Sequence, residues 1–530
     1  MDTQPQEGRR IHVEVGAEAA RRDRGFKIGL LAVGLVAIVF LAAAALRENV
    51  FPDWRRHQRE YARLLRQKAT DDWGRKIAGD FKVEMRQVVL PELGTIDRCV
   101  SCHTGIDDPR MTGVPNPYAV HPGRYLEWHD VARFGCTICH RGQGRAMTFR
   151  EAKAEGLHWD YPLLPTDLVQ SSCSQCHSLD EVAEQGGEVY ARGAALFEAK
   201  GCRSCHQLWG RGGSLGPALE NEGLKLTGNL PMAAIAGPHT LPQWLAEHFA
   251  DPQKVVAGSR MPPPGLAAAE VVALTTHTLS LQKRDLPESY LSPERHRELY
   301  TLAHPAPQSG AELYSTFCSN CHDTGAFGRW DKFFKSFVPA IRGETFRHSA
   351  EPAYVAANIR GGRRGTIMPA WGAGAGGLTE SEILALARYV LGRDDLAPDD
   401  IAPQPAAWSA AQALQGNEGD ARRGRQAFLA NCSGCHGPAG EGRYGPSLDS
   451  PVFQANASQD FLYATIASGR KNTAMPAFLG AGGLRDDDLL DLIAFIRTLG
   501  GVDPVATVEA APAGVAPAGT APAPETGGRR

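Results

Sequence analysis

Residues 189–206 read VYARGAALFEAKGCRSCH: a run with helical apolar spacing that leads into two cysteines two residues apart, with a histidine directly after them. The same order recurs at 310–322, GAELYSTFCSNCH, and at 420–436, DARRGRQAFLANCSGCH. Apolar positions three and four apart predict a helix ahead of each Cys-x-x-Cys-His. Each is followed by a proline loop (GPAL from Gly216, VPAI from Val338, GPSL from Gly445), then by a Met-Pro pair at Met261, Met368 or Met475. A second helix-period segment closes each set, at 268–281, 379–391 and 485–499. Cys202, Cys318 and Cys432 stand 116 and 114 residues apart, so the unit of repetition has the size of a small domain.

Three further motifs precede these and crowd together, with 37 residues from Cys99 to Cys136 and 37 from Cys136 to Cys173. The 12 cysteines of the chain are thereby used up: Cys99 and Cys102, Cys136 and Cys139, Cys173 and Cys176, Cys202 and Cys205, Cys318 and Cys321, Cys432 and Cys435. His103, His140, His177, His206, His322 and His436 follow the six pairs, although only 17 of 530 residues are histidine. A zinc ribbon closes its cysteine pairs in twos and does not require a histidine at a fixed offset. A dithiol redox site needs one such motif, and a disulfide framework would not repeat one short pair six times. The pattern is the covalent attachment signature of c-type haem, with two thioether bonds and the adjacent imidazole as proximal iron ligand. Six haems are expected.

The last three sets, over about residues 184–500, resemble class I cytochrome c, because attachment motif, proline loop, methionine and last helix come in the family's order. The resemblance implies an all-α cytochrome c fold repeated at 184–283, 305–393 and 414–502, with Met261, Met368 and Met475 as distal ligands and the proline carbonyl orienting the proximal histidine. These methionines lie 55, 46 and 39 residues after their histidines. A thioether ligand raises the reduction potential relative to a second imidazole. The trihaem segment, 84–183, has no Met-Pro but carries His121, His129 and His158 outside its motifs, which suggests bis-histidine coordination; Met111, Met147 and His57 are possible substitutes. His239, His248, His277, His296, His304 and His348 fit no ligand pattern and read as surface or helix residues.

The fold class expected is mainly α: one N-terminal transmembrane helix, a loop-rich trihaem domain, and three tandem cytochrome c domains. Residues 28–46, IGLLAVGLVAIVFLAAAAL, are uninterrupted apolar residues, long enough to span a bilayer core. A cleaved signal peptide is the competing reading. Six Lys or Arg precede the run and seven follow between Arg47 and Lys68, so charge does not orient it. Haem attachment to bacterial cytochromes occurs after export, which places residues 1–27 in the cytoplasm and the haem domains in the periplasm, at the inner membrane. Residues 47–83 read as a basic connector whose Trp54 and Trp73 lie near headgroups, or as a solvated helix. Lys283–Gly310 and Asp394–Gly416 read as linkers, and the Ala/Pro-rich 503–530 as a disordered tail. A net charge of −3 gives no reason to expect nucleic acid.

Segments TIDRCVSCHTGIDDP, HPGRYLEWHDVARFGCTICHRGQGRA and HWDYPLLPTDLVQSSCSQCH also resemble, over 94–178, cytochrome c subunits of bacterial cytochrome bc-type quinol-oxidising complexes. That resemblance implies membrane-embedded quinol-oxidising subunits as donor and a periplasmic cytochrome or terminal oxidase as acceptor. If every iron has two protein ligands, the chain moves electrons without catalysis of its own. A multihaem reductase of nitrite, hydroxylamine or peroxide, with one pentacoordinate haem, is the alternative. A haem-based sensor lacks any accompanying kinase, nucleotide-binding or DNA-binding motif.

Overall fold

The computed structural model describes residues 16–50, 52–154, 161–363, 366–402, 419–480 and 483–500. His158, most of the N-terminal tail, residues 403–418 and the Ala/Pro-rich tail lie outside the described residues. The chain is predominantly helical; its strands are three two-stranded antiparallel ribbons among the described residues. It divides into two compact units, Met1–Leu164 and Pro165–Arg530.

The first unit opens with α1 (Ala17–Asn49), a helix long and apolar enough to cross a membrane, its apolar side chains exposed throughout. After Pro52 comes α2 (Asp53–Lys68), which buries Trp54, Gln58, Tyr61, Ala62 and Leu65 at spacings of three and four, one face of a helix. The side chain of Asp71 caps α3 (Asp72–Asp80) by accepting from the Gly74 amide at 2.6 Å. Tyr61, Leu65, Ala78 and Met111 make the small core of this unit. The segment expected as a connector is therefore a wall of the unit. Trp54 is 4% exposed where a headgroup position was expected, and only Trp73, at 67%, faces outward. The ribbon Val88–Leu90 with Thr95–Asp97 then leads into the first haem motif.

The third motif belongs to the second unit, so the boundary at Leu164 falls inside the stretch 84–183 expected as one trihaem domain. The reason is local. Gln170, on the 3₁₀ run Thr166–Gln175, donates to the Gly186 carbonyl (3.1 Å) and accepts from the Tyr190 amide (3.0 Å), fastening that run to the helix that follows.

Each of the three later sets crosses its leading segment over its closing helix. The pairs are Glu188–Ala199 with Ala268–Ser280, the turns from Gly310 with Glu380–Leu391, and Ala421–Asn431 with Asp486–Thr498. A glycine lies at every crossing. A Cβ on Gly193, Gly310 or Gly424 would collide with the carbonyl of Ala273, Ala385 or Asp491. Around the third crossing, Phe428 is fully buried 5.1 Å from the Phe495 ring, and Arg423 forks onto Asp491 at 2.6 and 2.9 Å. A Gly424→Val variant must separate the two helices, an overpacking cost of about 1–3 kcal/mol or more. It is expected to lower the thermal midpoint of the third domain, read by loss of its haem absorbance on heating; an unchanged midpoint would refute the crossing.

The second and third cytochrome domains share one hydrophobic core, running from Leu313 through Tyr354 to Phe461 and Ile496. The stretches expected as linkers contribute to packing. Leu396 and Ile401 are buried, and their carbonyls accept from Arg388 and Arg360. Within 283–310, Ser292 caps the helix Pro293–Ala303, and its amide donates to the Cys176 carbonyl at 2.9 Å. This segment braces the third motif where a flexible tether was expected.

Candidate haem centres

Every motif folds as a single helical turn. In five of them the histidine amide donates to the carbonyl of the first cysteine at 2.8–3.0 Å, and in the sixth the turn is the helix Ser319–His322. A turn places positions 1, 4 and 5 on one face, so both sulfurs and the imidazole point the same way. The twelve cysteines form no disulfide.

In the last three domains the proximal imidazole is bracketed identically. His206, His322 and His436 donate from Nδ1 to the carbonyls of Pro217 (2.7 Å), Pro339 (3.2 Å) and Pro446 (2.8 Å). That bond fixes the tautomer and leaves Nε2 available to a metal. Gly216 and Gly445 press on the rings: a Cβ on Gly445 would stand 2.8 Å from His436 Cε1, and one on Gly216 would overlap His206. Burial lowers all three imidazoles, His322 to about 4, which keeps them neutral as a metal requires.

The methionines sit on pinned loops. The Met368 and Met475 amides donate to Thr366 Oγ1 (3.2 Å) and Thr473 Oγ1 (3.1 Å), and their carbonyls accept from the amides of Arg363 (3.0 Å) and Arg470 (2.9 Å). Gly362 and Gly469, at φ +63° and +65°, turn each loop in the left-handed region. Met261 is held differently, by Ser259 Oγ on its amide (3.2 Å) and by Gln253 on its carbonyl. His248 is stacked 4.7 Å from Trp244, and burial first, then the neighbouring His206, lowers it to about 4. His277 is buried against Tyr190 and Phe197, so it is a core residue of its helix.

Two arginines cross between the second and third domains in reciprocal fashion. Arg363 reaches the Ser447 carbonyl (2.6 Å) and the Phe453 ring (5.6 Å), while Arg470 lies over Phe346 (4.8 Å). Between the first and second domains, Arg203 lies 5.1 Å over Phe317, next to Cys318, and a Cβ on Gly201 would meet Asn320 Cβ at 2.8 Å. Attachment motifs four and five thus face each other.

In the first unit, the fully buried Asp97 accepts from the amides of Cys136 (2.5 Å) and Thr137 (2.9 Å) and from Thr137 Oγ1 (2.8 Å), fastening the second motif to the strand that delivers the first. His140 faces His121 with ring centroids 6.1 Å apart, near the spacing of two imidazoles each about 2 Å from a shared metal. His121 Nδ1 is occupied by the Pro122 carbonyl (2.8 Å), leaving Nε2. His129 instead packs on Phe134 and donates to the Tyr125 carbonyl. A cavity of about 420 Å³ opens beside His103, lined by Met85, Arg86, Val100 and Ile106. The Arg86 Nε there is buried and unpaired, as suits a carboxylate-bearing macrocycle. Burial, and behind it the neighbouring His57, lowers His103. Near His177, Glu181 Oε1 stands 3.7 Å from Nδ1. Met111 is fully buried in the core of its unit, with Tyr61, Leu65 and Ala78. The crossing glycines, Asp97 and the paired arginines escaped the sequence reading. Only the glycines left a signal, eight or nine residues ahead of Cys202, Cys318 and Cys432.

The last three centres lie in segments that match known families. Residues 305–390 and 419–496 fit the family described as cytochrome C oxidase, cbb3-type, subunit III, and residues 190–282 fit the family described as cytochrome c. Cytochrome c-553-like of Synechocystis is 35% identical over 82 residues, 16% of this chain and 71% of that protein. Cytochrome c-L of Methylorubrum extorquens is 36% identical over 80 residues, 15% of this chain and 39% of the relative. The cbb3-type cytochrome c oxidase subunit FixPc of Rhizobium leguminosarum is 25% identical over 195 residues, 36% of this chain and 60% of the relative. The chain therefore belongs to the c-type cytochromes. Its cytochrome c domains imply covalently bound c-type haem, and the chain spans only 39% and 60% of the lengths of cytochrome c-L and FixPc.

Proposed function

We propose that the chain holds six c-type haems and is a membrane-anchored conduit for electrons. The trio near the membrane would receive electrons from quinol-oxidising subunits of the cytochrome b and Rieske type. The methionine-bearing domains would pass them to a periplasmic cytochrome or terminal oxidase. In this reading α1 crosses the bacterial inner membrane with its N-terminus in the cytoplasm and the haem domains in the periplasm.

The observation that carries this reading is the order of the sites in the second unit. Gln170 ties the third motif to the helix ahead of the fourth, Gly201 and Arg203 set the fourth against the fifth, and a common core joins the fifth to the sixth. Within this unit, segments carrying consecutive motifs are packed together. The haems supply reversible one-electron chemistry. The residues supply its direction: thioether ligands favour the reduced state relative to paired imidazoles, so current runs from the histidine-rich end toward Met261, Met368 and Met475. The cbb3-type likeness of the last two domains fits an exit toward an oxygen reductase. Because those domains share a core, they act as one body, and delivery involves no swinging between them.

Redox titration of the detergent-solubilised protein with optical and low-temperature EPR detection tests the reading. Three low-potential, low-spin bis-imidazole haems and three high-potential haems with a methionine-to-iron charge-transfer band are expected. A resting high-spin haem whose spectrum shifts with nitrite, hydroxylamine or peroxide would favour the multihaem reductase.

A further inference from the structure

The first haem motif raises a question that pairing by number does not answer: which histidine faces His103. The N-terminal half of α2 lies directly against this motif. Gln58, fully buried, donates to the Ser101 carbonyl inside the motif (3.0 Å) and to the Glu84 carbonyl (2.8 Å), and it accepts from the Glu84 amide (2.9 Å). Its neighbour on the helix is His57, half-buried, one residue from the glutamine that touches the motif.

The His57 ring is oriented as a ligand's would be. Its Nδ1 is 3.0 Å from the Tyr118 hydroxyl, with the two rings 5.9 Å apart, which leaves Nε2 for a metal. Tyr118 itself packs against the core of Tyr61, Leu65, Ala78 and Met111, so the orienting group is rigid. The same division of labour, with Nδ1 held and Nε2 available, is found at His121, which already stands opposite His140. His129 has Phe134 and the Tyr125 carbonyl as neighbours.

We propose that His57, on the helix that follows the membrane-crossing helix, is the distal ligand of the haem attached at Cys99 and Cys102. His57 Nε2 donates its lone pair to the iron opposite His103, and no proton or electron changes place. The haem closest in sequence to the membrane anchor is then coordinated by the anchor's own neighbouring helix. Any shift of α2 would act directly on that iron's ligand field. The inference rests on the bis-histidine reading of the trio, and the wild-type spectrum tests that reading separately.

The experiment is EPR spin quantitation and carbon monoxide binding on full-length, haem-loaded, detergent-solubilised protein. In His57→Ala, one low-spin signal is expected to be lost, one high-spin haem per chain to appear, and one equivalent of carbon monoxide to bind on reduction. Added imidazole should restore the low-spin state. Tyr118→Phe retains the ligand and removes its anchor, so it should alter the g-values of that same signal; this variant carries the test if His57→Ala does not fold. Unchanged spin counts and no carbon monoxide binding in His57→Ala would overturn the proposal, as would loss of the same signal in His129→Ala. If the wild type itself lacks bis-imidazole signals, the bis-histidine reading fails before the variants are compared.

Discussion

A Glu382→Ala variant is expected to lose about 3–5 kcal/mol of the docking between the first and second cytochrome domains, the cost of leaving a buried charge without its partner. Arg211 donates from Nη2 to Glu382 Oε1 at 2.5 Å, and the two side chains are 12% and 7% exposed. Glu382 also accepts from the Thr379 amide (2.9 Å) and hydroxyl (3.0 Å), closing the capping box of the helix Glu380–Leu391. One carboxylate therefore begins the closing helix of one domain and holds the next. Amide exchange at Gly212, whose N–H donates to the Gly376 carbonyl across the same contact (3.1 Å), should accelerate in the variant, and the thermal midpoint should fall. Wild-type exchange at Gly212 would refute the assignment. Glu382→Gln, which keeps an acceptor for Thr379, should lose less.

The same pair sets a pH dependence. Burial opposes ionisation of Glu382, but the Thr379 donors and the Arg211 guanidinium outweigh it and hold the carboxyl below its ordinary range. A carboxyl depressed in the folded state contributes stability above its unfolded value, about 4.3, and loses it as pH falls through the lower folded value. Docking should weaken only on the acid side of that range, and this acid-side loss should be missing in Glu382→Gln.

Met368→His and Met475→His should each abolish one methionine-to-iron charge-transfer band and lower one midpoint potential by about 0.1 V or more, within the roughly 0.8 V that axial ligands command. The argument lies in the loops. A core methionine is held by apolar contact, as Met111 is. Met368 and Met475 are only half-buried, and each is fixed through its backbone by a threonine hydroxyl, an arginine amide and a left-handed glycine. The loop thus holds each methionine through its backbone in addition to its packing against the shared core. Two variants that titrate as wild type would refute these ligands.

Much of this was legible in the chain itself. Local chemistry recorded it: a histidine after every cysteine pair, a proline loop, a Met-Pro pair, and helix-period segments that the structure places at Ala268–Ser280, Glu380–Leu391 and Asp486–Thr498. The misreadings concern surroundings. Trp54 resembles a headgroup tryptophan because a basic amphipathic stretch looks the same whether its apolar face meets lipid or a protein core; here it meets the core. The Asp, Pro and Ala bias from Asp394 suggested a linker, but proline at the first turn of a helix also starts one, as at Pro398–Ile401.

The sequence by itself determined the cofactor class, the proximal histidines of the proposed sites and the helical fold of the repeats, because each depends on residues a few positions apart. Tertiary structure decided what lies opposite and between: His121 before His140, α2 with Gln58 against the first motif, the third motif's place in the second unit, and the shared core of the last two domains. The physical reason is separation along the chain. Gln58 and Ser101 are 43 residues apart, and Arg211 and Glu382 are 171. No periodicity or motif links such residues until the backbone brings them together.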